Sequence, residues 1–160
     1  MPANARTEPP TPESAYPAPE YSPGFLLWRT TLIWQRQIKA ALAPHELTHV
    51  QFVVLAGAWW LQEHHGPPSQ AGVAAQAAID PMMTSQVLRG LEARRLLQRR
   101  PSPTDSRARI VTVTKAGQTL LAAALPIVEA ADQAFFSPLE DRRDALIADL
   151  ATLSRPAPSP

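Results

Sequence analysis

The sequence predicts a mainly α-helical fold with one small β-hairpin, and three observations carry that expectation. Two short helical segments, over 69–77 and 81–95, are separated by a brief turn at Ala78-Ile79. Two strand-like runs, 96–100 and 110–114, follow directly and bracket the turn-rich stretch PSPTDSRAR. Longer helical segments with apolar stripes stand at the two ends, over about 23–42 and 115–153. A chain of 160 residues, 45% of them apolar, suits a single domain with a real core.

Residues 1–22 read as a disordered tail, because six prolines and several polar residues leave no apolar period to bury. The first helix opens at Ser22-Pro23, a capping residue followed by proline in the first turn. Phe25, Trp28, Leu32 and Leu42 form its stripe, with Trp34 and Ile38 beside it, and Pro44 closes it. The second helix starts at Thr48, with Gln51 in the capping-box position and Leu47 and Phe52 spaced as a hydrophobic staple. Its run from Phe52 to Leu61 is apolar on most faces, which predicts a central position, and Gly66-Pro67-Pro68 ends it.

Ser69 caps the third helix, and Asp80-Pro81 opens the fourth. Two short helices joined by a tight turn make a helix-turn-helix, and the hairpin after them makes a wing. Thr114 caps a fifth helix that runs to about Phe136 with a kink expected at Pro126. Ser137-Pro138-Leu139-Glu140 reads as a capping box for a last helix with Leu139, Leu146, Leu150 and Leu153 on one side and Ile147 alongside. Residues 154–160 read as a second tail.

The formal charge of +1 hides a division. Residues 81–115 carry seven arginines and Lys115 against Glu92 and Asp105, a net +6, which leaves −5 elsewhere. Such a concentration is what phosphate binding requires, although a solvated charged face gives the same signal. The fourth helix separates the two. At 100° per residue Thr84, Val87, Leu88 and Leu91 share one side, while Met82, Ser85, Gln86 and Arg89 share the other, with Met83 and Gly90 at its edge. An ordinary surface helix carries lysine–glutamate pairs on its free side. This one has no acid between Pro81 and Leu91. Glutamine suits adenine, arginine suits guanine, and an apolar side chain meets the thymine methyl in the major groove.

The segments LTHVQFVVL (47–55), SQAGVAAQAAIDPMMTSQVLRGLEARRLLQRR (69–100) and PTDSRARIVTVTKAG (103–117) together resemble the MarR family of transcription regulators, over roughly residues 23–153. Asp105-Ser106-Arg107 matches the family's wing motif and Leu91-Glu92 matches the close of its recognition helix. The resemblance implies a triangular homodimer whose first, fifth and sixth helices form the interface. It implies a winged lobe over about 48–114 whose recognition helix enters the major groove. Arg107, held by Asp105, would enter the adjacent minor groove, and small aromatic or phenolic effectors would bind between the dimer region and the DNA lobe. Two positions depart from the pattern. Arg95 stands where the family often has glycine, and Gly72-Val73 replace a longer polar residue and leucine.

The expected DNA contacts are therefore Ser69, Gln70, Met82, Met83, Ser85, Gln86 and Arg89, with Asp105, Arg107 and Arg109 from the wing. Trp28, His49 and Trp59 are the candidates for effector contact, against the plainer reading of the tryptophans as core or dimer interface. A sequence-specific regulator of duplex DNA, acting as a ligand-responsive repressor on an inverted repeat, is the expected function. The alternative is a winged helix that binds only protein, which has no need for Arg99, Arg100, Arg107 and Arg109 around one hairpin.

No enzyme, cofactor or metal site is expected. The chain has no cysteine, no glycine-rich phosphate loop and no nucleophile-elbow serine. His45 and His49 straddle a helix start, and His64-His65 sit at a helix end where a positive charge is favoured. The apolar run Phe52–Leu61 is too short to span a bilayer and the N-terminus lacks a secretory core, so a soluble cytoplasmic protein with no membrane partner is expected.

Overall fold

The computed structural model describes residues 12–103, 105 and 108–155, and the chain divides into two units at Ile33/Trp34. Helix α1 (Pro23–Leu42) belongs partly to each, and the two units are taken in turn.

In the first unit a 3₁₀ turn at Pro19–Tyr21 leads into α1. The Ser22 hydroxyl accepts from the Phe25 amide at 3.3 Å, the cap expected from Ser22-Pro23. The Phe25 and Trp28 rings lie 6.2 Å apart. Phe25, Leu26, Leu27, Trp28, Leu32 and Ile33 are all exposed, which leaves this half of the helix with an uncovered apolar surface.

In the second unit the end of α1 is buried through Ile38 and Leu42, and a 3₁₀ turn at Ala43–His45 follows. Next come α2 (His49–His65), α3 (Gln70–Ala77), α4 (Pro81–Ala93), β1 (Leu97–Pro101), β2 (Arg109–Val113), α5 (Lys115–Phe136), a 3₁₀ turn at Ser137–Arg142 and α6 (Arg143–Leu153). Both strands sit about one residue from their expected bounds. The strands pair antiparallel, with Leu97 opposite Val113 and Pro101 opposite Arg109.

Helix α2 is central, as its all-round apolarity predicted. It packs against α3, α4, α5 and β2, and Phe52, Val54, Leu55 and Ala58 are buried. Its start is the full capping box: the Thr48 hydroxyl accepts from the Gln51 amide at 3.2 Å, and the Gln51 side chain accepts from the Thr48 amide at 3.0 Å. Val73, Leu88, Leu91, Leu97 and Val111 complete the core from α3, α4 and the wing. The Gln62 carboxamide accepts from the Val113 amide at 2.8 Å, tying the last turn of α2 to the base of the wing.

Both joints around α4 are Schellman motifs without glycine. Ala78 (φ 52°) and Arg95 (φ 58°) take the left-handed position, so Arg95 accepts the strained conformation instead of letting the helix end differently. At the first, Ile79 N–H donates to Ala74 O and Ala78 N–H to Ala75 O; at the second, Leu96 N–H donates to Leu91 O and Arg95 N–H to Glu92 O. A β-carbon in this conformation costs about 1–2 kcal/mol, and glycine's looser unfolded chain returns part of it. Arg95→Gly and Ala78→Gly are therefore each expected to raise the thermal midpoint by a few degrees, roughly 0.5–1 kcal/mol, in a calorimetric scan. A fall in both midpoints would show that the joints carry no strain.

Two expectations are corrected, one at the end of α4 and one after α5. Helix α4 stops at Ala93 rather than Arg95, because the Schellman bonds close it earlier. The capping box at Ser137 does not form. Ser137 keeps helical angles (φ −55°, ψ −34°) and spends its hydroxyl on the Ala134 carbonyl at 2.9 Å, so it closes α5 and leads straight into the 3₁₀ turn instead of capping a new α-helix. A break at Glu140 (φ 49°, ψ −122°) lies within that turn, and α6 after it has no buried residue. Pro126 lies inside α5, which is continuous from Lys115 to Phe136. The stretch Lys115–Leu153 is long and apolar enough to cross a membrane by length and composition alone. Leu121, Ala124 and Val128 of it are buried in the protein core, and most of the rest of the stretch is not.

Candidate nucleic-acid interface

Helix α4 is the one expected to enter the major groove, and its two sides divide as the helical wheel predicts. Asp80 caps it through the Met83 amide at 2.9 Å, with Pro81 in the first turn. Thr84, Leu88 and Leu91 are buried, and the Thr84 hydroxyl is satisfied by the Asp80 carbonyl at 2.8 Å. On the opposite side Met82 is 81% exposed and Met83 47%, which for large apolar side chains marks a contact surface. Gln86 and Arg89 are exposed and Ser85 is half-buried. Arg89 reaches back along the helix to the Ser85 hydroxyl at 3.1 Å, which holds its guanidinium over the middle of α4.

A groove of about 1120 Å³ runs between α3, α4 and the wing, lined by Ser69, Gln70, Ser85, Arg89, Arg99, Asp105 and Arg109 among others. Its floor is made of small residues, Ala71, Ala74, Ala75 and Ala78. Ser69 serves two elements there. Its hydroxyl caps α3 through the Gly72 amide at 3.0 Å, and its backbone bridges to Ile110 of β2. Beside it the Val111 amide donates to Pro68 O at 2.8 Å, which fixes the start of α3 to the wing.

The angle of the wing is set by a feature the sequence reading did not assign. The Glu92 carboxylate accepts the Arg99 backbone amide at 3.0 Å and its guanidinium at 2.9 and 2.6 Å. This joins the last turn of α4 to β1. The hydrogen bonds from Arg99 hold the Glu92 carboxyl below its ordinary range, although exposure to water moderates the effect. A carboxyl shifted this way contributes its stability above the ordinary glutamate range and loses it only as pH falls through the lowered value, so the joint is intact at neutral pH. Arg99 is only 13% exposed and its charge is spent within the protein. A glutamate at the end of a helix with an arginine seven residues on, inside the next strand, was the available signal.

On the wing, Arg109 is exposed and the Asp105 carbonyl accepts from the Ala108 amide at 3.0 Å. Arg107 lies outside the described residues, and with it the expected Asp105–Arg107 contact.

The three effector candidates have different surroundings. His49 lines a separate cavity of about 620 Å³ with Gln35, Lys39, Ala43, Leu47, Thr48, Val53 and Ile79. Burial pushes the His49 imidazole below its ordinary value, and the Asp132 carboxylate opposes this. The Trp34 ring meets His49 edge-on at 4.9 Å, and its indole N–H donates to Asp132 Oδ1 at 2.7 Å. Trp59 packs against the core as half-buried mass, and Trp28 is 60% exposed. Among the described residues no group of three metal-ligating side chains occurs.

Comparison with known proteins agrees with this geometry. The MarR family model matches residues 47–108. The HTH-type transcriptional regulator YdcH of Bacillus subtilis is 42% identical over 124 residues, covering 78% of this chain and 84% of its own. Among solved structures, the repressor CouR bound to a 23-mer DNA duplex superposes with a TM-score of 0.74 at 31% identity, covering 85% of this chain and 94% of that one. BpsR of Bordetella bronchiseptica, whose DNA binding is regulated by 6-hydroxynicotinic acid, gives 0.73 at 30% identity, with 82% and 98% covered. The similar proteins are transcriptional regulators, and CouR among them is solved on DNA, which favours the DNA-binding reading over a protein-only module. The chain belongs to the MarR family of winged helix-turn-helix transcriptional regulators.

Proposed function

We propose that this regulator binds an inverted-repeat operator as a homodimer and acts as a repressor released by a small aromatic effector. The acid-free outer side of α4, facing the same groove as Arg109, carries the reading. Residues 23–153 would form one functional domain working in the cytoplasm, without catalysis. Met82, Met83, Ser85, Gln86 and Arg89 would enter the major groove, Ser69 and Gln70 would meet the backbone beside it, and Asp105, Arg107 and Arg109 would approach the minor groove. The uncovered apolar residues of α1, and Ile147, Leu150 and Leu153 of α6, are the surface a second copy would bury. The effector would occupy the cavity at His49, with Lys39 suited to an acidic group; Trp28 and Trp59 remain candidate contacts.

Filter binding to random duplex DNA at low salt tests the reading, and absence of any salt-sensitive retention would end it. Sedimentation at micromolar concentration tests the dimer, and a monomer would remove that part. Gln86→Ala is expected to relax preference at one position of each half-site, by about 1–3 kcal/mol, with the salt slope and stability nearly unchanged. Arg107→Ala is expected to reduce the slope of log K against log salt by roughly 2 for a dimer, one phosphate contact per subunit. Unchanged affinity would show that the wing stays off the DNA.

A further inference from the structure

Of the arginines around α4, Arg89, Arg99 and Arg109 line the groove, and Arg94 turns to a different part of the molecule. Arg94, the C-cap residue of the recognition helix, does not line the groove. Its guanidinium donates to Glu46 O at 2.7 Å and to His45 O at 3.4 Å, across 48 and 49 residues of sequence. Those two carbonyls belong to the connector between α1 and α2. The connector is one wall of the effector cavity: Ala43, Leu47 and Thr48, on either side of His45-Glu46, all line it.

The connector is not a relaxed piece of chain. Glu46 holds a left-handed conformation at φ 53° without being glycine, closed by its amide on Ala43 O at 3.1 Å. His45 Nε2 is buried with no hydrogen-bond partner among the described residues. A strained turn with an unsatisfied buried nitrogen keeps its shape only when neighbours hold it. Arg94 is a charged donor that does so, and it is anchored one residue before the left-handed joint at Arg95 that fixes the exit of α4.

We propose that Arg94 is a positioning residue that couples the Ala43–Thr48 wall of the effector cavity to the recognition helix. The inference rests on the reading of α4 as the DNA-reading helix and of the His49 cavity as the effector site. A ligand that displaces the connector then moves the end of α4 directly through this fork, without a path through the core. A lysine supplies charge at one point, whereas the arginine fork spans two carbonyls, so the coupling depends on more than charge.

The experiment uses the full chain and a duplex that the wild type selects from a random library. Arg94→Met and Arg94→Lys are compared with wild type by binding across a salt series and by hydrogen exchange at the Glu46 amide. Arg94→Met is expected to weaken binding about tenfold at every salt concentration, with the salt slope unchanged and faster exchange at Glu46, and Arg94→Lys to restore only part of the affinity. Thermal midpoints close to wild type keep the loss from being one of folding, since Arg94 is exposed. A slope lower by about 2 in Arg94→Met would make Arg94 a phosphate contact instead and overturn the proposal. Unchanged affinity, or unchanged exchange at Glu46, would overturn it as well. Failure of the wild type to select any duplex would sink the DNA-binding reading itself, a result distinct from failure of the variants alone.

Discussion

Gly117→Ala is expected to destabilise the protein by about 3 kcal/mol or more, the upper end of what overpacking costs. Gly117 sits in the first turn of α5 and is buried. A β-carbon there would drive into the Leu96 carbonyl oxygen and stand 2.9 Å from Val113 Cγ1, and a backbone oxygen cannot rotate away as a flexible side chain can. The same Leu96 oxygen accepts from the Thr114 amide and hydroxyl, both at 3.0 Å, so moving it also breaks the cap of α5. The damage falls where α4, β1 and α5 meet, and the wing loses its angle with it. Urea denaturation should show the midpoint falling with little change in slope. DNA affinity should fall even where the variant is still folded. A loss below about 1 kcal/mol would mean that α5 can slide away from the joint.

Leu88→Ala is the second large effect, expected at about 3–4 kcal/mol. Leu88 is fully buried in α4 among the core residues of α2, α3 and the wing. Its truncation leaves a cavity under the recognition helix. The contrast with Gln86, two residues away, makes the test sharp: one substitution should cost stability and the other sequence preference. If Leu88→Ala instead costs less than about 1 kcal/mol, the core beneath α4 is loose enough to refill, and the helix is less firmly placed than its burial implies.

Most of the helical framework was legible because it is written in local chemistry. Thr48 with Gln51, Ser69, Asp80-Pro81 and Thr114 all cap the helices they were expected to cap. The outer side of α4 was legible for a related reason, since a period of 3.6 residues fixes which side chains share a face. The failures share a different cause. Ser137 carries the same capping signature as Thr48, but its backbone never leaves the helical region, and nothing local distinguishes the two. Arg99 looked like a free cation because its partner Glu92 belongs to another element. Arg94 likewise spends its bonds on carbonyls 48 and 49 residues away. Long-range pairing of a charge is decided by tertiary placement, which spacing along the chain does not encode. Of the aromatic residues singled out in the sequence, His49 lines a cavity and Trp59 packs half-buried against the core, a difference of tertiary placement that spacing does not encode.

The Trp34–His49–Asp132 arrangement gives the protein an optical readout of its own cavity. Of the four tryptophans, Trp28 is exposed and Trp60 is stacked on the His64 ring at 4.5 Å, whereas Trp34 is partly buried with its N–H bound to a carboxylate. An imidazolium quenches a neighbouring indole far better than neutral imidazole does. Burial holds His49 below its ordinary value, so the ring is uncharged at neutral pH and Trp34 is bright. As acid protonates His49, in a window below the usual histidine range, the Trp34 contribution at the blue edge of the emission should dim. Any molecule that enters beside His49 changes the same signal, so occupancy could be followed by fluorescence without a label or any DNA present.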